Sequence, residues 1–128
     1  MMKKRAITAP DGNQPVSRYA EAMEVTGAQR WLFLSGQTPM RPDGTIPDDF
    51  RDQARQVWAN IQAQLRASDM VLDNLVKVTV FLSDRRYGPI HRAIREEILG
   101  DRVLGLTVII VGALDERWLL EVEVIAAA

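Results

Sequence analysis

Cysteine is absent from this 128-residue chain. Disulfides, thiolate nucleophiles and zinc–thiolate sites are excluded together. Histidine occurs once, at His91. One imidazole without cysteine partners makes no metal site, and a lone helical histidine reads as surface or packing before it reads as catalytic. Neither sign of charge is in excess: 16 basic and 17 acidic side chains leave a net charge of -1. No overall field therefore steers nucleic acid or anionic lipid towards the chain. Apolar runs are short, none near the ~20 residues a membrane span needs. The opening Met1-Met2-Lys3-Lys4-Arg5 is basic, but Ala9-Pro10-Asp11-Gly12-Asn13 follows as loop in place of an apolar leader core. The expectation is a cytoplasmic protein with no metal, no cofactor, no nucleic-acid partner and no membrane partner. Internal repeats and low-complexity segments are also missing.

Hydrophobic residues make up 47% of the chain and charged residues 26%, enough for a packed core in one domain over residues 1–128. Residues 1–17 carry Pro10, Gly12 and Pro15 and read as an irregular arm. Tyr19 to Val25 reads as a weakly patterned strand and Trp31-Leu32-Phe33-Leu34 as a buried one, the two forming a hairpin through Gly27. Breakers fill 38–47. Asp48 or Asp49 then caps a helix over about 49–67, where Ala54, Val57, Trp58, Ile61 and Leu65 recur at helical spacing. Val76, Val78, Val80 and Leu82 mark a strand. Asp84 caps a second helix through Ile90, Ile94 and Ile98, stopped by Gly100. Leu106 to Val111 is a nearly unbroken apolar strand. Trp118 to Ala126 is the last strand, with Glu121 and Glu123 on one side. The three tryptophans fall on core-patterned positions. The predicted order is β-β-α-β-α-β-β, an α+β fold with a mixed sheet.

Two helices of this length cover about one face of such a sheet, and a solvated second face should alternate with polar residues. Residues 31–34 and 106–111 do not alternate. Each buried aliphatic side chain is worth ~1.5–3 kcal/mol, so apolar surface on both sides of these strands calls for cover on both sides. Either the helices divide between the two faces of a monomer, or further copies of the chain cover the second face. The latter is preferred.

Five stretches in order now carry a resemblance: Phe33-Leu34-Ser35-Gly36-Gln37-Thr38-Pro39; Pro42-Asp43-Gly44; Gln53 to Ile61; Lys77-Val78-Thr79-Val80-Phe81-Leu82-Ser83-Asp84; and Leu120-Glu121-Val122-Glu123-Val124-Ile125-Ala126. From about Tyr19 to its end the chain resembles Rid (YjgF-type) proteins. The resemblance implies a chorismate-mutase-like fold, a homotrimer and three small-molecule sites in clefts between subunits. It also implies metal-free, cofactor-free hydrolysis of enamines and imines to ammonia and a 2-keto acid.

Carried across residue by residue, the resemblance points to Glu121 as the group that holds or activates water. Tyr19, Ser35 and Gly36 match ligand-contacting positions, and Arg92 stands where an asparagine is usual. The family's carboxylate-gripping arginine, in a Pro-Ala-Arg-Ser stretch, falls on Leu106 within Leu104-Gly105-Leu106-Thr107. Leucine cannot bind a carboxylate, so Leu106 is the point of departure, and Thr107 beside it is a candidate ligand contact. Plain readings stand beside these: Tyr19 as edge packing, Gly36 as a turn glycine, Arg92 and Arg95 as a solvated helix face. Ser35 has no partner that suggests a triad. Three functions compete: a hydrolytic deaminase of enamine- or imine-type metabolites, a non-catalytic small-metabolite binder favoured by the greasier Leu106, and a ribonuclease, disfavoured by the charge and the few aromatics.

Overall fold

A computed structural model describes all 128 residues. Its longest apolar stripe forms its longest helix, α1 (Phe50–Ala67). Asp49 is the N-cap, its carboxylate accepting from the Asp52 N–H at 2.8 Å, which satisfies one exposed first-turn donor. The stripe Ala54, Val57, Trp58, Ile61 and Leu65 is fully buried. Strand β4 (Leu75–Leu82) follows a short 3₁₀ turn. Asp84 caps a second 3₁₀ turn, Arg85–Tyr87, and not the helix itself. Helix α2 (Gly88–Leu99) then starts with Pro89 in its first turn and stops at Gly100, whose φ of +60 favours glycine. Strands β5 (Gly105–Ile110) and β6 (Leu120–Ala127) complete the chain.

The first third of the molecule departs from the sequence reading. Residues 3–7 form strand β1 (Lys3–Ile7) within the arm expected to be irregular. β1 pairs antiparallel with β2 (Ala22–Thr26) in a separate two-stranded sheet. The strand expected at 19–25 thus starts later, and it does not form a hairpin with β3 (Trp31–Phe33). β3 pairs instead with β6, Phe33 opposite Ile125. The order is therefore β-β-β-α-β-α-β-β, one strand more than expected.

The main sheet runs β3-β6-β4-β5, with β4 and β5 parallel and its other pairs antiparallel. Alternation sends Val78, Val80 and Leu82 of β4 and Leu120, Val122 and Val124 of β6 to one side, where they join residues of both helices in one core cluster. The opposite side carries Lys77, Thr79, Phe81, Glu121, Glu123 and Ile125, with Trp31 and Phe33 on β3 and Thr107 and Ile109 on β5. Both helices lie on one face and the other is open. Along its middle that face mixes Lys77, Thr79, Glu121 and Glu123 with Phe81 and Ile125, and it is apolar towards both edges: Phe33 is 69% exposed, Trp31 48% and Ile109 43%. Trp31 is thus a surface residue, in contrast to the core role its pattern suggested, while Trp58 is fully buried. No helix is long and apolar enough to cross a membrane.

Candidate functional site

The residues singled out in the sequence fall into two groups at opposite edges of the main sheet. The first lies where α2 passes the edge strand β5. A cleft of about 350 Å³ opens there, lined by Tyr19, His91, Arg92, Arg95, Leu106 and Val108, with Val16, Ser17 and Gly88 at its rim. This volume is at the lower end for small-molecule pockets, about 300–1,000 Å³. Leu106 forms part of the floor because it points to the helix side of β5. Thr107, one residue on, points to the open face, where its Oγ1 accepts from Lys77 Nζ at 3.0 Å. Leu106 and Thr107 therefore cannot serve the same cleft of one chain. The Tyr19 hydroxyl accepts from the Val16 N–H at 3.3 Å and keeps its own proton to donate.

Arg92 reaches the cleft, but its Nε is paired with Glu96 at 3.3 Å. Two neighbours on the same helix matter more. His91 is 1% exposed and Arg95 5%. Neither belongs to a solvated face, as the sequence suggested for Arg95; both sit on the buried stripe with Ile94 and Leu99. Their i, i+4 spacing on an apolar stripe was the signal available beforehand. Trp58 Nε1–H donates to His91 Nε2 at 3.2 Å. Burial, then the charge of Arg95, pushes the His91 pKa down to about 3, so the ring is neutral at physiological pH. Because indole can only donate, Nε2 must be bare and the single ring proton must sit on Nδ1. Nδ1–H then faces Arg95 Nη1 at 3.4 Å, a contact between two donors and no hydrogen bond. Arg95 takes part in none of the ion pairs of the fold.

The second group gathers beyond β3. Gln37 and Val122 exchange backbone hydrogen bonds at 2.7 and 3.1 Å, which lays the loop Ser35–Gln37 along β6. Glu121 projects from β6 against Gly36 so closely that a Cβ there would lie 2.1 Å from Oε1. Gly36 thus leaves room for the carboxylate in this position, beyond its part in a turn. The N–H groups of Ser35 and Gly36 have no hydrogen-bond acceptor within the chain. A carboxylate can take a proton from water, and the free backbone donor beside it at Gly36 can stabilise a developing oxyanion. Ser35 and Gly36 each line a separate hollow, distinct from the α2–β5 cleft. One chain therefore presents two partial sites, a cationic cleft and a carboxylate with a free amide. No group of three or more His, Asp or Glu side chains is arranged to hold a metal ion.

Comparison with known proteins places this geometry among relatives. The family model described as endoribonuclease L-PSP matches residues 8–128. A RutC family protein of Pyrococcus horikoshii is 31% identical over 125 residues, covering 96% of this chain and 97% of that protein. A 2-iminobutanoate/2-iminopropanoate deaminase of Dermatophagoides farinae is 33% identical over 84 residues, covering 64% of this chain and 63% of that protein. Among solved structures, a Rid-family protein of unknown function from Yersinia pestis superposes with a TM-score of 0.84 over 98% of each chain, at 23% identity.

Proposed function

Because the chain belongs to the endoribonuclease L-PSP family, also called the YjgF/RidA family, we propose that three copies assemble around the open sheet face and complete three small-molecule sites at their seams. There they hydrolyse an enamine- or imine-type metabolite. The observation that carries this reading is the division of the site. The α2–β5 cleft and the Glu121–Gly36 group stand at opposite edges of one sheet, so a cyclic arrangement brings one copy's cleft to its neighbour's carboxylate. The exposed Trp31, Phe33 and Ile109 supply the apolar area that such an arrangement removes from water.

In this mechanism the cleft holds the substrate with its C=N carbon towards the neighbouring Glu121. An enamine first takes a proton on carbon to become the imine. Glu121 removes a proton from water, and the hydroxide oxygen bonds to the imine carbon. Glu121 returns that proton to nitrogen, giving a carbinolamine; the carbinol O–H proton then passes to nitrogen as well, the C–N bond breaks, ammonia leaves and the carbonyl product remains. The free N–H group at Gly36 binds the developing oxygen charge. A deaminase activity is named for the Dermatophagoides farinae relative, which supports this reaction class. RNA cleavage, the activity in the family model's name, has less support, because a net charge of -1 provides no field that tracks phosphates.

The test is to add the purified protein to an imine generated in place by an amino-acid dehydratase and to follow 2-keto acid release. Acceleration by the wild type and its loss in Glu121→Gln are expected. Without acceleration the catalytic reading fails. A second reading is favoured by the apolar floor at Leu106 and Val108: the cleft binds a small metabolite without turning it over. Saturable binding with no turnover is its signature.

A further inference from the structure

Arg95 is the group that the assembled site leaves unexplained. Its guanidinium is buried, lines the α2–β5 cleft and has no carboxylate partner. The nearest acid on its own helix, Glu96, is engaged by Arg92 at 3.3 Å. A guanidinium stays charged under all ordinary conditions, and placing it out of water without a counter-charge is costly. Beside it, the Nδ1–H of neutral His91 has no acceptor either, because the atom it faces at 3.4 Å is another donor. Two buried donors thus converge on one cleft with nothing to receive them. Leu106, Val108 and Val16 give the remaining lining an apolar side, with Tyr19, Ser17 and the Glu96-paired Arg92 beside them.

We propose that this cleft binds the carboxylate of a small ligand through Arg95, with His91 Nδ1–H as a second donor, so that helix α2 supplies the charge that strand β5 lacks at Leu106. A planar carboxylate accepts two parallel bonds from one guanidinium edge and a third from the imidazole. The short apolar wall then accommodates a small aliphatic chain. This inference rests on the reading of the cleft as the substrate-binding half of the site and assigns the residue that sets its specificity for a carboxylate: Arg95, on α2. A carboxylate suits the site better than a phosphate dianion, because one unpaired guanidinium offers one positive charge. Arg95 here is a substrate-binding residue, and His91 positions the same group.

The experiment uses calorimetry with 2-oxobutanoate, its methyl ester and inorganic phosphate as probes, on the wild type and on Arg95→Met. The wild type is expected to bind the acid saturably at millimolar concentration or below, and to bind the ester and phosphate at least tenfold more weakly. Arg95→Met should lose acid binding at least tenfold. It should also melt at a higher temperature than the wild type without ligand, since an apolar chain replaces an unpaired buried charge. A merely structural arginine gives the reverse, a lower melting temperature with acid binding intact. The proposal is overturned if the wild type does not bind the acid, if ester or phosphate binds as well as the acid, or if Arg95→Met retains the acid affinity. Imine turnover that persists without dependence on Arg95 sinks this inference and leaves the deaminase reading standing. Arg95-dependent binding without any turnover does the opposite.

Discussion

Acidification from about pH 7.5 to pH 5 tests the environment of His91 quantitatively. In the folded chain burial and the adjacent Arg95 hold its pKa down to about 3, against 6.5 ordinarily. Above 6.5 the ring is neutral in both the folded and unfolded states, and His91 contributes nothing to the pH dependence. Below 6.5 the unfolded chain takes up a proton that the folded chain refuses until about pH 3. Stability therefore falls with falling pH across that window. Each pH unit is worth about 1.4 kcal/mol, so the loss attributable to His91 at pH 5 is about 2 kcal/mol. Carboxylates such as Asp43 and Asp115, both lowered in the fold by hydrogen bonds, from Thr45 and Arg117 respectively, also weaken the protein in acid. They do so equally in a His91→Gln variant, whose amide oxygen still accepts from Trp58 but does not titrate. The assay is urea unfolding of both proteins at one chain concentration, followed by tryptophan fluorescence at the two pH values. The wild type should lose about 2 kcal/mol more than His91→Gln between them. Equal losses would refute the buried, neutral imidazole and with it the assignment of the proton to Nδ1.

Two further outcomes follow from single side chains. Gln53 is buried, donates to the carbonyls of Pro47 and Arg117 and accepts from the Leu119 N–H at 2.8 Å. Gln53→Leu leaves these three backbone groups without their partner and should cost about 3 kcal/mol or more in urea unfolding; a loss under 1 kcal/mol contradicts the bonding described. Gly36→Ala places a Cβ on the Glu121 carboxylate, the mobile end of a flexible side chain. Stability should change by less than about 1 kcal/mol, while imine turnover falls at least tenfold, and unchanged turnover contradicts the role of this contact.

Much of the helical part of the fold was legible because burial there writes a period into the sequence. The stripe from Ala54 to Leu65 and the cap at Asp48 or Asp49 placed α1 within a residue of its observed start, with Asp49 the cap. The alternation of Glu121 and Glu123 with Leu120, Val122 and Val124 gave the two faces of β6. Strand β1 was not legible. Lys3-Lys4-Arg5-Ala6-Ile7 is mostly exposed and carries no alternation that burial could enforce. Its presence captures β2, so the local preference for a hairpin between β2 and β3 gave way to distant pairing of β3 with β6. The half-exposure of Val108, Ile109 and Ile110 accounts for the missing polar alternation in β5: the single chain does not bury either side of this edge strand fully. In the candidate site, the residue singled out at Leu106 lines the α2–β5 cleft. Residue type alone misled at Arg95, since charged helix residues are mostly solvated, while His91 took the packing alternative of its reading; only the shared stripe marked both as inward-facing.

The proposed assembly joins the α2–β5 cleft of one chain to the Glu121–Gly36 group of the next and covers the partly apolar sheet face with other copies. Sedimentation velocity at about 10 μM chain addresses it most directly. A single species of about three times the 14.4 kDa chain mass is expected. A monodisperse species of 14.4 kDa, retaining the native fluorescence of its tryptophans, would contradict it.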